Sequence, residues 1–145
     1  VLLVDDNAEL LDVLTRSLRD IGHFTVLQAE DGATGLELAL TMRPACIVID
    51  VMMPGLDGYQ LVRALRGDPA SATIPIVMLT ALAQDEHRLG GLLAGADQYL
   101  VKPVKIQHLM VAITEAVALS GDERLRRMRE LAGEHDRSGS EHLGG

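Results

Sequence analysis

Tryptophan is absent from the 145 residues, and Phe24, Tyr59 and Tyr99 are the only aromatics. That is too few for the stacking platforms on which single-stranded nucleic acids are bound. Basic residues are also in deficit, 13 against 21 acidic ones for a formal charge of -8, and a phosphate backbone is held by Lys and Arg. Direct nucleic-acid binding by this chain is therefore disfavoured, whereas a cation would suit it. A single cysteine, Cys46, excludes a disulfide framework, and its place in an apolar run marks it as a small core residue rather than a reactive thiol. No run of about 18 apolar residues is present to span a bilayer, and no basic segment followed by an apolar one to direct secretion. The expectation is a cytoplasmic protein with no membrane association.

What the chain does have is aliphatic content. Hydrophobic residues make up 48% of it, enough for the core of one domain. The first residues, Val1-Leu2-Leu3-Val4, lack an initiating Met and read as a strand whose chain starts somewhat upstream. The most strand-like stretch is Ala45-Cys46-Ile47-Val48-Ile49-Asp50, apolar until its last residue and followed by the turn-rich Pro54-Gly55-Leu56-Asp57-Gly58. Such runs fit strands covered on both faces of a parallel sheet, and ligands of open parallel sheets gather at the strands' carboxyl ends.

Strand and helix patterns alternate along the chain. Val1 to Val4 is followed by Asn7 as a helix cap and by Leu11, Leu14, Leu18 and Ile21 at helical spacing. A strand is expected over 24–29, then a helix from Asp31-Gly32 with Ala33, Leu36 and Leu40 inward, ended by Pro44. After Asp50 comes a helix carrying Leu61, Val62 and Leu65, then the strand Ile76 to Thr80. A helix over 84–94 is weakened by Gly90 and Gly91, at about 1 kcal/mol each relative to Ala. The strand Gln98 to Val101 and a helix with Ile106, Leu109, Met110, Ile113 and Val117 complete the series. Five such units imply an α/β fold, a doubly wound parallel sheet with right-handed crossovers. This domain occupies 1–119. Residues 120–132 read as a charged helical extension, with Ser120 and Glu123 at capping-box spacing and Leu125, Met128 and Leu131 in a stripe too short to establish a coiled coil. Residues 133–145 read as a flexible linker or tail.

The chemistry-bearing residues stand at the strand exits: Asp5 and Asp6, Asp50, Thr80 and Lys102. Any one alone has an ordinary explanation, a helix cap for Asp5-Asp6-Asn7, a turn for Asp50, a strand end for Thr80, a solvated surface for Lys102. Together they lie at one sheet edge. Three carboxylates crowded there raise one another's pKa unless a cation sits among them, and hard oxygen ligands suit Mg²⁺. An aspartate beside Mg²⁺, a hydroxyl and an ammonium is equipped to attack a phosphoryl donor and hold an acyl phosphate, a reaction that needs mainly positioning and charge neutralisation. The five histidines form no ligand or triad pattern.

Five motifs in this order, Asp5-Asp6, Asp50 with Met53-Pro54-Gly55-Leu56-Asp57-Gly58, Thr80-Ala81, Gly95-Ala96-Asp97 and Tyr99-Leu100-Val101-Lys102-Pro103, resemble the receiver domain of bacterial two-component response regulators. The resemblance covers about Val1 to Leu119. It implies a flavodoxin-like sheet of order 2-1-3-4-5 in which Asp50 accepts a phosphoryl group from a histidine kinase or phosphotransfer protein. Asp5, Asp6, Asp50 and the backbone carbonyl of Met52 would bind Mg²⁺, and Lys102-Pro103 would be a cis peptide. Thr80 and Tyr99 would be the switch pair that alters the face built by the helix over 84–94, the strand 98–101 and the helix after it. An output domain or effector would read that face, and a homodimer through the extension is a further expectation. Apolar Met52 and Leu82 suggest a long-lived phosphoryl state. Two other readings compete: a haloacid-dehalogenase-type enzyme, which wants an aspartate where Met52 stands, and a docking module without chemistry.

Overall fold

The computed structural model describes residues 1–81, 95–119, 122–124, 126, 127, 129 and 130. Five strands, β1 (Leu2–Val4), β2 (Leu27–Ala29), β3 (Ile47–Asp50), β4 (Ile76–Thr80) and β5 (Gln98–Val101), pair in parallel in the order β2-β1-β3-β4-β5. Helices α1 (Ala8–Asp20), α2 (Gly32–Met42) and α3 (Gly58–Gly67) each follow one of the first three strands, and α4 (Ile106–Ala118) follows β5.

Successive strand residues point to opposite faces, so β1, β3 and β4 each feed two cores. Leu2, Val4, Ile47, Ile49 and Met78 join Leu61, Val62 and Leu65 of α3 on one face. Leu3, Val48, Val77 and Leu79 join Leu11, Leu14 and Leu18 of α1 and Leu109 and Ile113 of α4 on the other. This double layering explains why β3 and β4 are buried along their whole length and read as continuous apolar runs. The order reverses between β1 and β3, which is where a doubly wound sheet opens a crevice at its carboxyl edge.

Local chemistry sets the element ends. Asn7 caps α1 by accepting a hydrogen bond from the Leu10 N–H, and Asp31 caps α2 through the Thr34 N–H. Asp57 caps α3 in a reciprocal capping box with Gln60.

Four details depart from the periodicity. The second strand starts at Leu27 rather than Phe24, because the Phe24 N–H is still bonded to the Leu18 carbonyl and closes α1. Ile21 lies one residue past α1 and is exposed. In α2 the fully buried residues are Gly32, Gly35 and Ala39; of the three expected, Leu36 packs against the core but is only partly buried, and Ala33 is exposed. A Cβ on Gly35 would sit 2.9 Å from Val4 Cγ2, so α2 approaches the sheet closely through its smallest residues. In α4, Ala112 and Ala116 face inward while Val117 is exposed. The expected helix over 84–94, Leu82, the Leu125, Met128 and Leu131 stripe and the 133–145 tail lie outside the described residues. Among the described residues of the extension, 122–124, 126, 127, 129 and 130 are helical.

Candidate functional site

The strand exits converge at one edge. β1 leads into Asp5, whose N–H is bonded to the Ala29 carbonyl, and whose Oδ1 accepts the Asn7 N–H at 2.9 Å, so the turn into α1 fixes this carboxylate. Asp50 ends β3 and is only 5% exposed. Asp6 is exposed beside them. The three carboxylates each place an oxygen within 4.8 Å of the others, an arrangement able to hold a metal ion.

Lys102 completes the cluster. Its Nζ lies 3.0 Å from Asp5 Oδ2 and 3.0 Å from Asp50 Oδ1. The Lys102-Pro103 peptide is cis, and the Lys102 N–H donates to the Thr80 carbonyl at 2.6 Å, which continues the β4–β5 ladder past Val101. Burial raises the Asp50 pKa, with the Asp5 and Asp6 charges adding to it and Lys102 opposing. For Lys102, burial works against the ammonium, but the bonds to Asp50 and Asp5 outweigh it and the net shift is upward. Crowded carboxylates and one ammonium thus leave Asp50 short of compensating positive charge, and a divalent cation would supply it.

Gly58 sets how the far wall meets Asp50. A Cβ there would collide with the Asp50 carbonyl oxygen and stand 2.7 Å from Val51 Cα. Only glycine lets the first turn of α3 lie directly on the end of β3. Thr80, at the end of β4, is fully buried. Tyr99 is half-buried against the α2–α3 core, and its hydroxyl is buried without a hydrogen-bond partner among the described residues. Burial, and after it the neighbouring Tyr99 hydroxyl, raises the pKa of the Tyr59 phenol.

The edge therefore unites Asp5, Asp6, Asp50 and Lys102 directly, with Thr80 one strand away from Asp50. Met52 is 61% exposed and, with Val51, Met53, Pro54, Asp57 and Tyr59, lines a cavity of about 420 Å³ after β3. Tyr59 gave no signal in the sequence, because a tyrosine in a first helical turn is unremarkable until its neighbours are placed. His23 and His108 are exposed, as expected of histidines outside any site. Among the described residues no helix is long and apolar enough to cross a membrane.

Fold and edge together define a doubly wound α/β domain with a carboxylate centre at its topological switch point. The chain belongs to the response regulator receiver family: the model of the response regulator receiver domain matches residues 1–114. It functions as a receiver domain of two-component signal transduction. It is similar to the DNA-binding dual master transcriptional regulator RpaA of Synechocystis sp., 36% identical over 113 residues, 78% of this chain and 46% of that protein. Protein PilH of Pseudomonas aeruginosa is 36% identical over 118 residues, covering 81% of this chain and 97% of PilH. The receiver domain of the Francisella response regulator 1452 superposes with a TM-score of 0.74 at 33% identity, over 80% of this chain and 93% of that one. The chain thus spans about half the length of RpaA and nearly all of PilH.

Proposed function

We propose that Asp50 is the phosphoacceptor. One Asp50 Oδ attacks the phosphorus of the donor, the bond from phosphorus to the leaving group breaks, and an aspartyl phosphate results. The observation that carries this is a buried strand-end carboxylate 3.0 Å from an ammonium and inside a cluster of three acids. Asp5, Asp6, Asp50 and the Met52 backbone carbonyl would hold Mg²⁺, which when bound neutralises phosphoryl oxygens. Lys102 adds positive charge at the same atoms. Thr80 would donate its hydroxyl to the phosphoryl group, and Thr80 with Tyr99 would form the switch.

The donor in this reading is a histidine kinase or phosphotransfer protein, in the cytoplasm where phosphodonors derived from ATP are made. The domain also catalyses loss of its own phosphoryl group. The functional unit is 1–119, with 120–132 as a charged helical extension and 133–145 as a flexible linker or tail. An output domain or effector would read the face that includes β5 and α4, and exposed Val101, Val111 and Val117 on those elements supply apolar contact area; a homodimer through the extension is a further reading. A dehalogenase-type reaction is disfavoured because an exposed methionine, not a carboxylate, stands two residues after Asp50.

Incubation with acetyl phosphate, followed by intact mass, tests the reading. One added phosphoryl group is expected with Mg²⁺ and none with a chelator. No addition under either condition would contradict it.

A further inference from the structure

A second charged cluster lies at the opposite ends of β4 and β5. Asp97, immediately before β5, is 4% exposed. Its Oδ2 accepts the Ile76 N–H at 2.8 Å and Arg66 Nη2 at 3.2 Å, and its Oδ1 accepts Arg124 Nε at 2.6 Å. Arg124 belongs to the segment beyond 119, yet it is only 2% exposed. Its Nη1 donates to the Thr73 carbonyl at 2.8 Å and its Nη2 to the Ala116 carbonyl at 2.9 Å.

Every arm of that guanidinium is thereby engaged, by a carboxylate, a loop carbonyl and a carbonyl in the last turn of α4. The last of these belongs to the negative end of a helix dipole. A planar fork fits this set of acceptors and an ammonium does not. Arg66 does not substitute for Arg124, because its remaining donors go to the carbonyls of Gly95, Ala72 and Ile74. A buried guanidinium is tolerated only when paired and fully hydrogen-bonded, so its burial here reflects a socket shaped for it.

We propose that this socket is a guanidinium-binding site by which the receiver docks its own extension, with Arg124 as the latch that fixes the direction in which the chain leaves the domain after Leu119. Asp97 and Ile76 open the two strands that end beside Lys102 and at Thr80. The latch therefore refers the extension to the same strands that carry the carboxylate edge.

Limited trypsin digestion of the full chain, unphosphorylated and without Mg²⁺, tests the latch independently of the reading for Asp50. The readout is cleavage after Arg126 and Arg127, which are exposed. Docked segments are cut through local opening, so Arg124→Gln and Arg124→Lys are both expected to accelerate these cuts about tenfold or more while cuts within 1–119 keep their rate. Equal rates in all three chains would overturn the proposal. Full protection retained by Arg124→Lys would overturn the requirement for a fork. Acceleration spread evenly over the whole chain would make Arg124 a general stabiliser and overturn the latch as well.

Discussion

Asp50 carries an electrostatic penalty in the metal-free protein. Its folded pKa lies above the ordinary value of 3.8, chiefly through burial, so the folded state binds its proton more tightly than the unfolded chain does. Stability of the metal-free protein then falls as pH rises from that ordinary value through the raised one. Asp50→Asn removes this dependence, and thermal unfolding near neutral pH without Mg²⁺ should show the variant more stable by on the order of 1 kcal/mol. Mg²⁺ should reverse the ranking, since ligand binding to the native state stabilises by about 1.4 kcal/mol at ten times Kd. Met52 sets a second expectation at this scale. Its exposed apolar side chain beside Asp50 offers no base to an attacking water, so Met52→Glu should speed loss of the phosphoryl group by roughly tenfold. Loss of label after donor removal reports it, and an unchanged or slower rate would separate lifetime from this position.

The elements that deliver these residues were readable to different degrees. Strands β3 and β4 stood out because both faces are covered, so no polar residue interrupts them. The inward face of α2 was only partly legible: Leu36 packs against the core as its spacing suggests, but the buried positions are Gly32, Gly35 and Ala39, and periodicity weighs leucines. Asp57, a turn residue by composition, proves to be the cap of α3, and Gly58 beside it governs how that helix meets β3. A methyl group at Gly58 has no room without moving the Asp50 carbonyl or α3. Gly58→Ala should cost about 1–3 kcal/mol and slow phosphorylation more than a surface substitution of equal stability cost. Denaturant unfolding alongside labelling rate distinguishes the two effects.

At the scale of the whole molecule, alternation of strand and helix specified a parallel sheet, the resemblance to receiver domains implied its order, and that order brought residues as distant in sequence as Asp5 and Lys102 to 3.0 Å. That contact was legible because both residues follow strands, and parallel strands share an exit edge. The charged cluster of Arg66, Asp97 and Arg124 was not legible. It joins a helix end, a loop and the extension, and no periodic pattern links those positions. The domain thus has two poles on one pair of strands, a carboxylate edge and a guanidinium socket. The central claim concerns the first pole, and the most direct measurement locates the phosphoryl group itself. After reaction with acetyl phosphate and Mg²⁺, borohydride reduction and peptide mass mapping should find homoserine in place of aspartate at position 50 and nowhere else. Reduction at Asp5 or Asp6 instead, or at no aspartate of a labelled chain, would contradict the account.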